Sequence, residues 1–346
     1  CVETTTCPQA SCNELVTEVE MEASLKSGAT PSTQARTDKL LQKYSTYQLR
    51  SFVESNRLTR WCPGKGCEFV ACASSQACLE TIQDRTTQCH SCTTAFCVVC
   101  GEEPHAPCAC KDVTRWKDKC RNESETANWI LANTKSCPKC VSRIEKNQGC
   151  NHMTCGRCKH EFCWICMGDW NNHGANTGGY YKCNKFDSKT GGGVEDQSEA
   201  ARAKRELDRY LHYYKRYHAH DEAEKFARKQ LQETEARMVI LQESSSNSKW
   251  ADVEFLKAAN EQLVECRHVL KYTYVYAYYF GASPSMQKER FEYHQEMLER
   301  FTETLSELSE KPVAAMDRTE VVNTTRVVDR FMRNILKYVE EGMEEA

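Results

Sequence analysis

The 346-residue chain carries 46 Lys plus Arg against 49 Asp plus Glu, a formal net charge of −3, and is 40% hydrophobic and 27% charged. That balance is near the globular average and excludes wholesale disorder. The slight acidity provides no basic field to recruit nucleic acid, and no apolar run reaches the ~18 residues that span a bilayer.

Cysteine is the outlier, at 23 residues, of which 22 lie in residues 1–183 and one, Cys266, lies beyond. A cysteine-rich front joined to an ordinary back predicts two kinds of domain. The chain opens on Cys1 rather than Met and so reads as a fragment. Residues 1–12 look like the tail of a zinc domain. Residues 28–33 read as a loop with Ser32 or Thr33 as a helix cap, within a helical linker segment spanning 13–60. Leu40, Leu41, Tyr44, Leu49, Phe52 and Val53 recur at helical spacing and predict a helix over 36–60. Residues 61–110 and 137–183 should be short strands and loops around metal, with a helical linker over 111–136. Residues 187–195 hold three consecutive glycines and form a flexible boundary. From Ser198 the pattern is helical, with Leu207, Tyr210, Leu211 and Tyr214 on one face and Trp250, Val253, Leu256, Ala259 and Leu263 on another. Loops such as 244–248 divide this region, 196–346, into a helical bundle. His212, His218 and His220 share a helix at poor metal-ligand spacing and read as a solvated face. The tyrosines of 272–279 have no basic residues interleaved and read as bundle core rather than base-stacking surface.

The front cysteines come as close pairs with isolated histidines. A disulfide framework has no use for His and fits an odd thiol total poorly, whereas tetrahedral zinc uses both residue types at these spacings. Zinc thiolate chemistry in turn points to a reducing compartment, the cytoplasm and also the nucleus. An internal repeat sharpens the reading. Cys89, Cys92, Cys97 and Cys100 read C-x2-C-x4-C-x2-C, and Cys155, Cys158, Cys163 and Cys166 read it again. Each core is preceded by a pair (Cys62 and Cys67; Cys137 and Cys140) and followed by a His and a Cys (His105 and Cys110; His173 and Cys183). Eight ligands per unit make two closed, structural sites each, so four zinc ions are expected. The predicted fold is therefore two small zinc-stabilised α+β modules followed by an all-α bundle. Phe96 and Phe162 adjoin ligand cysteines as packing rings.

Cys150 is left over, in the stretch Gly149-Cys150-Asn151-His152. Cys72, Cys78, Cys108 and Cys120 are spare too, so being unpaired is not by itself a sign of catalysis; a spare Cys can be a small buried hydrophobe. The surroundings of Cys150 are distinctive. Gly149 permits close approach, His152 two residues on is within reach as a base, and Glu161 could orient the imidazole. The alternative is a solvated loop histidine and a surface glutamate. From spacing alone both readings stand.

These residues resemble the RING-between-RING ubiquitin ligases, specifically the Ariadne subfamily. Trp61-Cys62-Pro63 and Phe96-Cys97-Val98-Val99-Cys100-Gly101 look like the in-between-RING domain. Cys137-Pro138-Lys139-Cys140, Ile144-Glu145-Lys146, Gly149 to Met153 and Glu161 to Cys166 look like the catalytic second RING-like domain. Residues 124–130 resemble the intervening linker helix, and the tail, including Lys271 to Ala277, resembles the Ariadne domain. The resemblance implies that Cys150 accepts ubiquitin from a conjugating enzyme as a thioester and passes it to a lysine of a substrate protein. It implies His152 as general base, supported by Glu161. It further implies autoinhibition, with Phe226, Glu292 and Glu303 at positions matching the family's blocking contacts, relieved by neddylated cullin-RING ligases. Only Cys7 and Cys12 match the first RING, as its last ligand pair, and a further zinc site there requires the rest of that RING. The spacing of Cys155-Gly156-Arg157-Cys158 is shorter than the loop in some relatives but leaves the ligand set intact. A reading from a different class is a zinc-dependent adaptor that binds proteins without chemistry. No nucleic-acid or membrane partner is expected.

Overall fold

The computed structural model describes residues 5–342 except 7–8, 10, 13, 28–29, 31, 82–83, 123–133, 147–148, 174–181, 185, 187–198, 245–253, 281–285 and 313–314. Cys7, the linker-helix resemblance over 124–130, the boundary at 187–195, and Trp250 and Val253 fall outside the described residues. The chain divides into two compact units, 1–104 and 105–346.

In the first unit, a two-residue pairing of β1 (Thr5–Thr6) with β2 (Leu15–Val16) precedes α1 (Glu18–Ser27) and α2 (Gln34–Ser55). Helix α2 stops five residues short of the expected end. The Asn56 side chain accepts the Leu58 N–H at 2.9 Å, and the Asn56 carbonyl accepts the Thr59 N–H at 3.1 Å. A local side-chain-to-backbone bond of this kind competes with helix propagation, and the chain turns into β3 (Thr59–Trp61). Thr33 does stand at the N-cap of α2, but its hydroxyl accepts the Thr30 N–H rather than capping the helix. β3 pairs with β4 (Val70–Cys72), and β5 (Thr86–Gln88) pairs with β6 (Ala95–Cys97), all antiparallel.

One turn recurs five times along the cysteine repeats. The first cysteine of each C-x2-C accepts, through its carbonyl, the N–H of the residue after the second: Cys89 from Thr93, Cys97 from Gly101, Cys137 from Val141, Cys155 from Lys159 and Cys163 from Met167. The donor residue takes a left-handed conformation in every case, with φ between 58° and 79°. Only Gly101 adopts it without a Cβ penalty. The four other copies accept that strain, consistent with a metal binding energy large enough to hold a segment whose own core is small.

The second unit opens on α3 (Cys110–Asn122). Two hairpins follow, β7 (Thr134–Ser136) with β8 (Arg143–Glu145) and β9 (His152–Thr154) with β10 (Glu161–Cys163). Then come α4 (Glu199–Ser244), α5 (Phe255–Tyr279), α6 (Met286–Glu310) and α7 (Arg318–Glu340). Tyr272, Tyr274 and Tyr278 are buried in the bundle core, as the tyrosine cluster predicted. Trp116 of α3 sits among Tyr210, Tyr217 and Tyr278 at ring separations of 5.4–5.6 Å. The spare Cys108 is fully buried, its thiol donating to the Tyr272 carbonyl at 3.0 Å. The histidine expectation is overturned. His220 is fully buried and stacked on Tyr274, and His212 Nε2 lies 2.9 Å from the Asn184 carbonyl. The polar partners for these rings come from distant segments, so helical spacing could not reveal them. Small Cys/His modules followed by a helical bundle are thus the architecture, as expected.

Candidate active site

Four groups of four ligand atoms each gather within 4.8 Å: Cys62, Cys67, Cys89 and Cys92; Cys97, Cys100, His105 and Cys110; Cys137, Cys140, Cys155 and Cys158; and Cys163, Cys166, His173 and Cys183. The sulfur pairs Cys62–Cys92, Cys67–Cys89, Cys140–Cys155 and Cys137–Cys158 are 3.4, 3.7, 3.6 and 3.7 Å apart. A tetrahedron with Zn–S bonds of about 2.3 Å has an edge of about 3.8 Å, so the sites fit zinc closely. His105 and His173 turn Nδ1 to the carbonyls of Cys108 and Asp169, at 2.8 and 3.0 Å, which leaves Nε2 for the metal. All sixteen ligands expected of the two repeat units fall into these groups; Cys150 and Cys12, the described member of the first-RING pair, are in none of them. Zinc here would pin the loops that carry the site.

Cys150 lies in the turn between β8 and β9, and three helices of the bundle converge on it. Helix α6 contributes Glu303, whose Oε2 accepts the Asn151 backbone N–H at 2.7 Å and whose Oε1 accepts the Asn151 side-chain amide at 2.9 Å. One turn before its end the same helix places Ser306, and at its end Glu310, which faces the Cys150 backbone N–H. Helix α5 contributes Arg267, whose Nη1 lies 2.5 Å from Glu303 Oε1 with both side chains buried. Helix α4 contributes Phe226. A Cβ added at Gly149 would meet the Phe226 ring at 3.2 Å, Ser306 Oγ at 3.2 Å and Glu310 Oε1 at 3.4 Å, so the glycine is what lets the turn seat against the bundle.

The charges follow from this burial. Burial alone would push the Glu303 carboxyl up; the Arg267 guanidinium, with Lys146 and the Asn151 N–H, overrides it and holds the group down at about 2. The Cys150 thiol, 5% exposed, is pushed well up, first by burial and then by the negative charge of Glu303. It is therefore held neutral, and a neutral thiol is a poor nucleophile. Burial also lowers the Lys146 ammonium, which donates to the Gly149 carbonyl at 3.2 Å and to Asn151 Oδ1 at 2.9 Å.

His152 reaches the Cys150 sulfur through its backbone N–H, at 3.3 Å. Its imidazole stacks on Trp170 at 4.2 Å, and Trp170 in turn stacks on the metal-site His173 at 5.3 Å. Glu161 Oε2 stands 3.6 Å from His152 Nε2, an ion-pair distance rather than a hydrogen bond, and is half exposed. The structure brings Phe226 and Glu303 to the Cys150 turn. Glu292 lies elsewhere. It precedes Glu303 by eleven positions on α6, about 16 Å along the axis, and its charge helps raise the phenol of Tyr213 on α4, a ring raised chiefly by burial.

A second grip holds the end of the zinc module. Asn184 donates to Glu299 Oε2 at 2.6 Å, Tyr274 donates to the same oxygen, and Arg216 donates to the Cys183 carbonyl. Arg267, Lys146, Asn151, Glu310 and Glu299 were all missed in the sequence. Arg267 and Glu299 sit within apolar helical stripes, between Cys266 and Val269 and beside Leu298, and a charge on a buried face was the one available signal.

A module of Cys/His groups that fit zinc, with one buried thiol outside those groups among the described residues, packed on a helical bundle, defines a class of cysteine-bearing metal-knuckle proteins. Comparison with known families narrows this. Residues 132–179 match an IBR domain, residues 42–110 match the IBR domain described as a half RING-finger domain, and residues 208–344 match the Ariadne domain. The chain is 42% identical over 325 residues to the fission yeast Schizosaccharomyces pombe E3 ubiquitin-protein ligase dbl4, covering 94% of this chain and 60% of that one. It is 37% identical over 348 residues to Drosophila melanogaster E3 ubiquitin-protein ligase ariadne-1 (99% and 64%) and 38% identical over 302 residues to Mus musculus E3 ubiquitin-protein ligase ARIH2 (87% and 58%). The chain belongs to the Ariadne family of RING-between-RING proteins. It spans about three-fifths of the length of these curated relatives.

Proposed function

We propose that this chain is the catalytic and regulatory part of an E3 ubiquitin-protein ligase, in which Cys150 takes ubiquitin from a charged conjugating enzyme as a thioester and a substrate lysine amine then attacks that thioester. The observation that carries the reading is that Cys150 stands outside every metal group of a zinc-pinned module and is covered by charged and aromatic side chains of the helical domain. The relatives' names as E3 ubiquitin-protein ligases support the reaction class. His152 is assigned as the base that takes the proton of the attacking amine, with Glu161 steadying the imidazolium. Zinc in the four sites holds the loops and takes no part in bond making.

The conformation described is the resting one. The thiol is neutral, and Phe226, Glu303 and Glu310 occupy the approach that an incoming acyl group needs. Release falls to a partner that draws the helical domain away, for which neddylated cullin-RING ligases are the candidate class. A reducing compartment, cytoplasm or nucleus, suits the thiolate sites.

The test is to incubate the intact protein with a ubiquitin-charged conjugating enzyme and look for a ubiquitin adduct that thiol reductant removes. Cys150→Ala abolishes the adduct and Cys150→Ser leaves a stable oxyester. Undiminished transfer by Cys150→Ala would leave only a non-catalytic zinc adaptor. Phe226→Ala raises adduct formation; Glu292→Ala, remote from the turn, tests whether blocking extends along α6.

A further inference from the structure

The Asn151 donors raise a question that blocking alone does not answer: what do they bind once Glu303 leaves? The backbone N–H and the side-chain amide of Asn151 converge on one carboxylate, at 2.7 and 2.9 Å. The same carboxylate lies near enough to the Cys150 thiol for its negative charge to raise it. A planar, negatively charged carboxylate beside the nucleophilic sulfur, held by two N–H groups, occupies the place of a thioester carbonyl turning into an oxyanion. The distances are those of oxyanion-hole donors to their oxygen.

The two donors are also held independently of the helical domain. The Asn151 carbonyl accepts the Trp164 N–H at 2.9 Å, which fixes the backbone from β10. Lys146 Nζ lies 2.9 Å from Asn151 Oδ1. An ammonium has only donors, so the atom facing it must be the amide oxygen, and the NH2 is thereby turned to Glu303. Lys146 fixes the amide in the one orientation that presents a donor beside Cys150. Asn151 is fully buried, so water does not compete for these N–H groups while the turn is covered.

We propose that Asn151 supplies the oxyanion hole of the transfer reaction through its backbone N–H and side-chain amide, that Lys146 is the positioning residue that orients the amide, and that Glu303 rests there as a stand-in for the acyl group. This rests on the reading of Cys150 as the acyl acceptor. In the step, the Cys150 sulfur attacks the carbonyl carbon of the incoming thioester. A C–S bond forms, and the carbonyl π pair moves to oxygen, where the two Asn151 N–H groups hold it. Collapse restores the C=O, breaks the bond to the conjugating enzyme's sulfur and expels it as a thiolate, which ends with the proton that left the Cys150 thiol.

The test uses the intact protein with Glu303→Ala as parent, so that the donors are uncovered. Two rates are compared: single-turnover transfer from a ubiquitin-charged conjugating enzyme, and alkylation of Cys150 by iodoacetamide, a displacement at carbon that develops no oxyanion. Adding Asn151→Ala lowers transfer about 100-fold, the scale for loss of one oxyanion donor, and leaves alkylation within about twofold. Asn151→Asp loses at least as much. Lys146→Met lowers transfer about tenfold on its own, and combined with Asn151→Ala adds nothing, since it acts through that side chain. Transfer by Asn151→Ala within about threefold of the parent overturns the proposal, and so does an equal fall in both rates, which marks a structural role. A parent that forms no adduct on Cys150 at all refutes the thioester reading itself, and the oxyanion hole falls with it.

Discussion

Replacing Glu303 by Ala removes the principal polar contact between the helical domain and the Cys150 turn. Two hydrogen bonds to Asn151 are lost, at 2.7 and 2.9 Å, both accepted by an ionised carboxylate. Bonds to charged groups contribute about 1.5–3 kcal/mol each. The pair is not fully additive, and the uncovered Asn151 donors recover water when the turn opens. A net loss of about 3 kcal/mol is the working value, which shifts the closed-to-open equilibrium about 150-fold. The remaining effect on Arg267, left buried without its carboxylate, falls on the helical domain in both states and largely cancels from the opening equilibrium. The assay is iodoacetamide labelling of the zinc-loaded protein, read as the Cys150 peptide by mass spectrometry with the exposed Cys72 as internal standard. In the native protein the buried, neutral Cys150 reacts only through opening, so the rate ratio Cys150/Cys72 reports that equilibrium. Glu303→Ala should raise the ratio about 100-fold. A ratio unchanged by the substitution would mean that Glu303 does not hold the turn and that its short bonds carry no net docking energy.

Three further outcomes follow from the same geometry. The Glu303 carboxyl is held down at about 2 against an ordinary 4.5, so its contribution is fully present above about pH 4.5 and fades only as pH falls through about 2; the raised Cys150 thiol instead favours closure while protonated, and closure weakens above the free-thiol pKa of about 8.5. Labelling corrected for intrinsic thiolate should therefore be flat from about pH 5 to 8 and climb above it, and a rise near pH 6 would point to a titrating histidine. Gly149→Val, which brings a branched side chain against Phe226 and Ser306 already 3.2 Å from a Cβ, should open the turn and raise Cys150 labelling at least about tenfold, the scale of a 1–3 kcal/mol overpacking strain. Gly64→Ala would put a Cβ 2.6 Å from Cys92 Sγ, and elemental analysis of the purified protein should show zinc content reduced by about one ion of the four the ligand sets provide.

Much of this was legible in the sequence because metal ligands are a one-dimensional code. C-x2-C spacing fixes which sulfurs meet, whatever surrounds them, and all four groups form as the repeat implied. Phe226 and Glu303 were named from resemblance, not from pattern, since their partners lie 77 and 152 positions away at Gly149 and Asn151. Spacing within one segment could not reveal Arg267 and Lys146, because each is defined by what it faces. The helix over 36–60 failed at Asn56 for a local reason, an Asx-type turn, that periodicity overlooks. His220 was misjudged because a histidine on a charged-looking helix face was weighed without the buried Glu299, whose Oε1 lies 3.6 Å from it.

The arrangement of the charges bears on how such a site can be opened. Arg267 and Glu303 both belong to the helical bundle, on α5 and α6, so the buried ion pair is made within the covering domain and need not break when that domain withdraws. Separating a buried pair leaves an uncompensated charge and costs about 3–5 kcal/mol, which would add to the cost of opening if one partner sat on the zinc module. Instead the groups of the module that bond the carboxylate directly are neutral, the Asn151 N–H and amide, with the Lys146 ammonium acting on it only at longer range. In the proposed opening, these hydrogen bonds would be exchanged for water on one side and for the acyl group of the proposed transfer on the other. Under the proposed autoinhibition, the preformed ion pair would let one carboxylate hold the turn shut and stay charge-balanced when a partner protein draws the helical domain away.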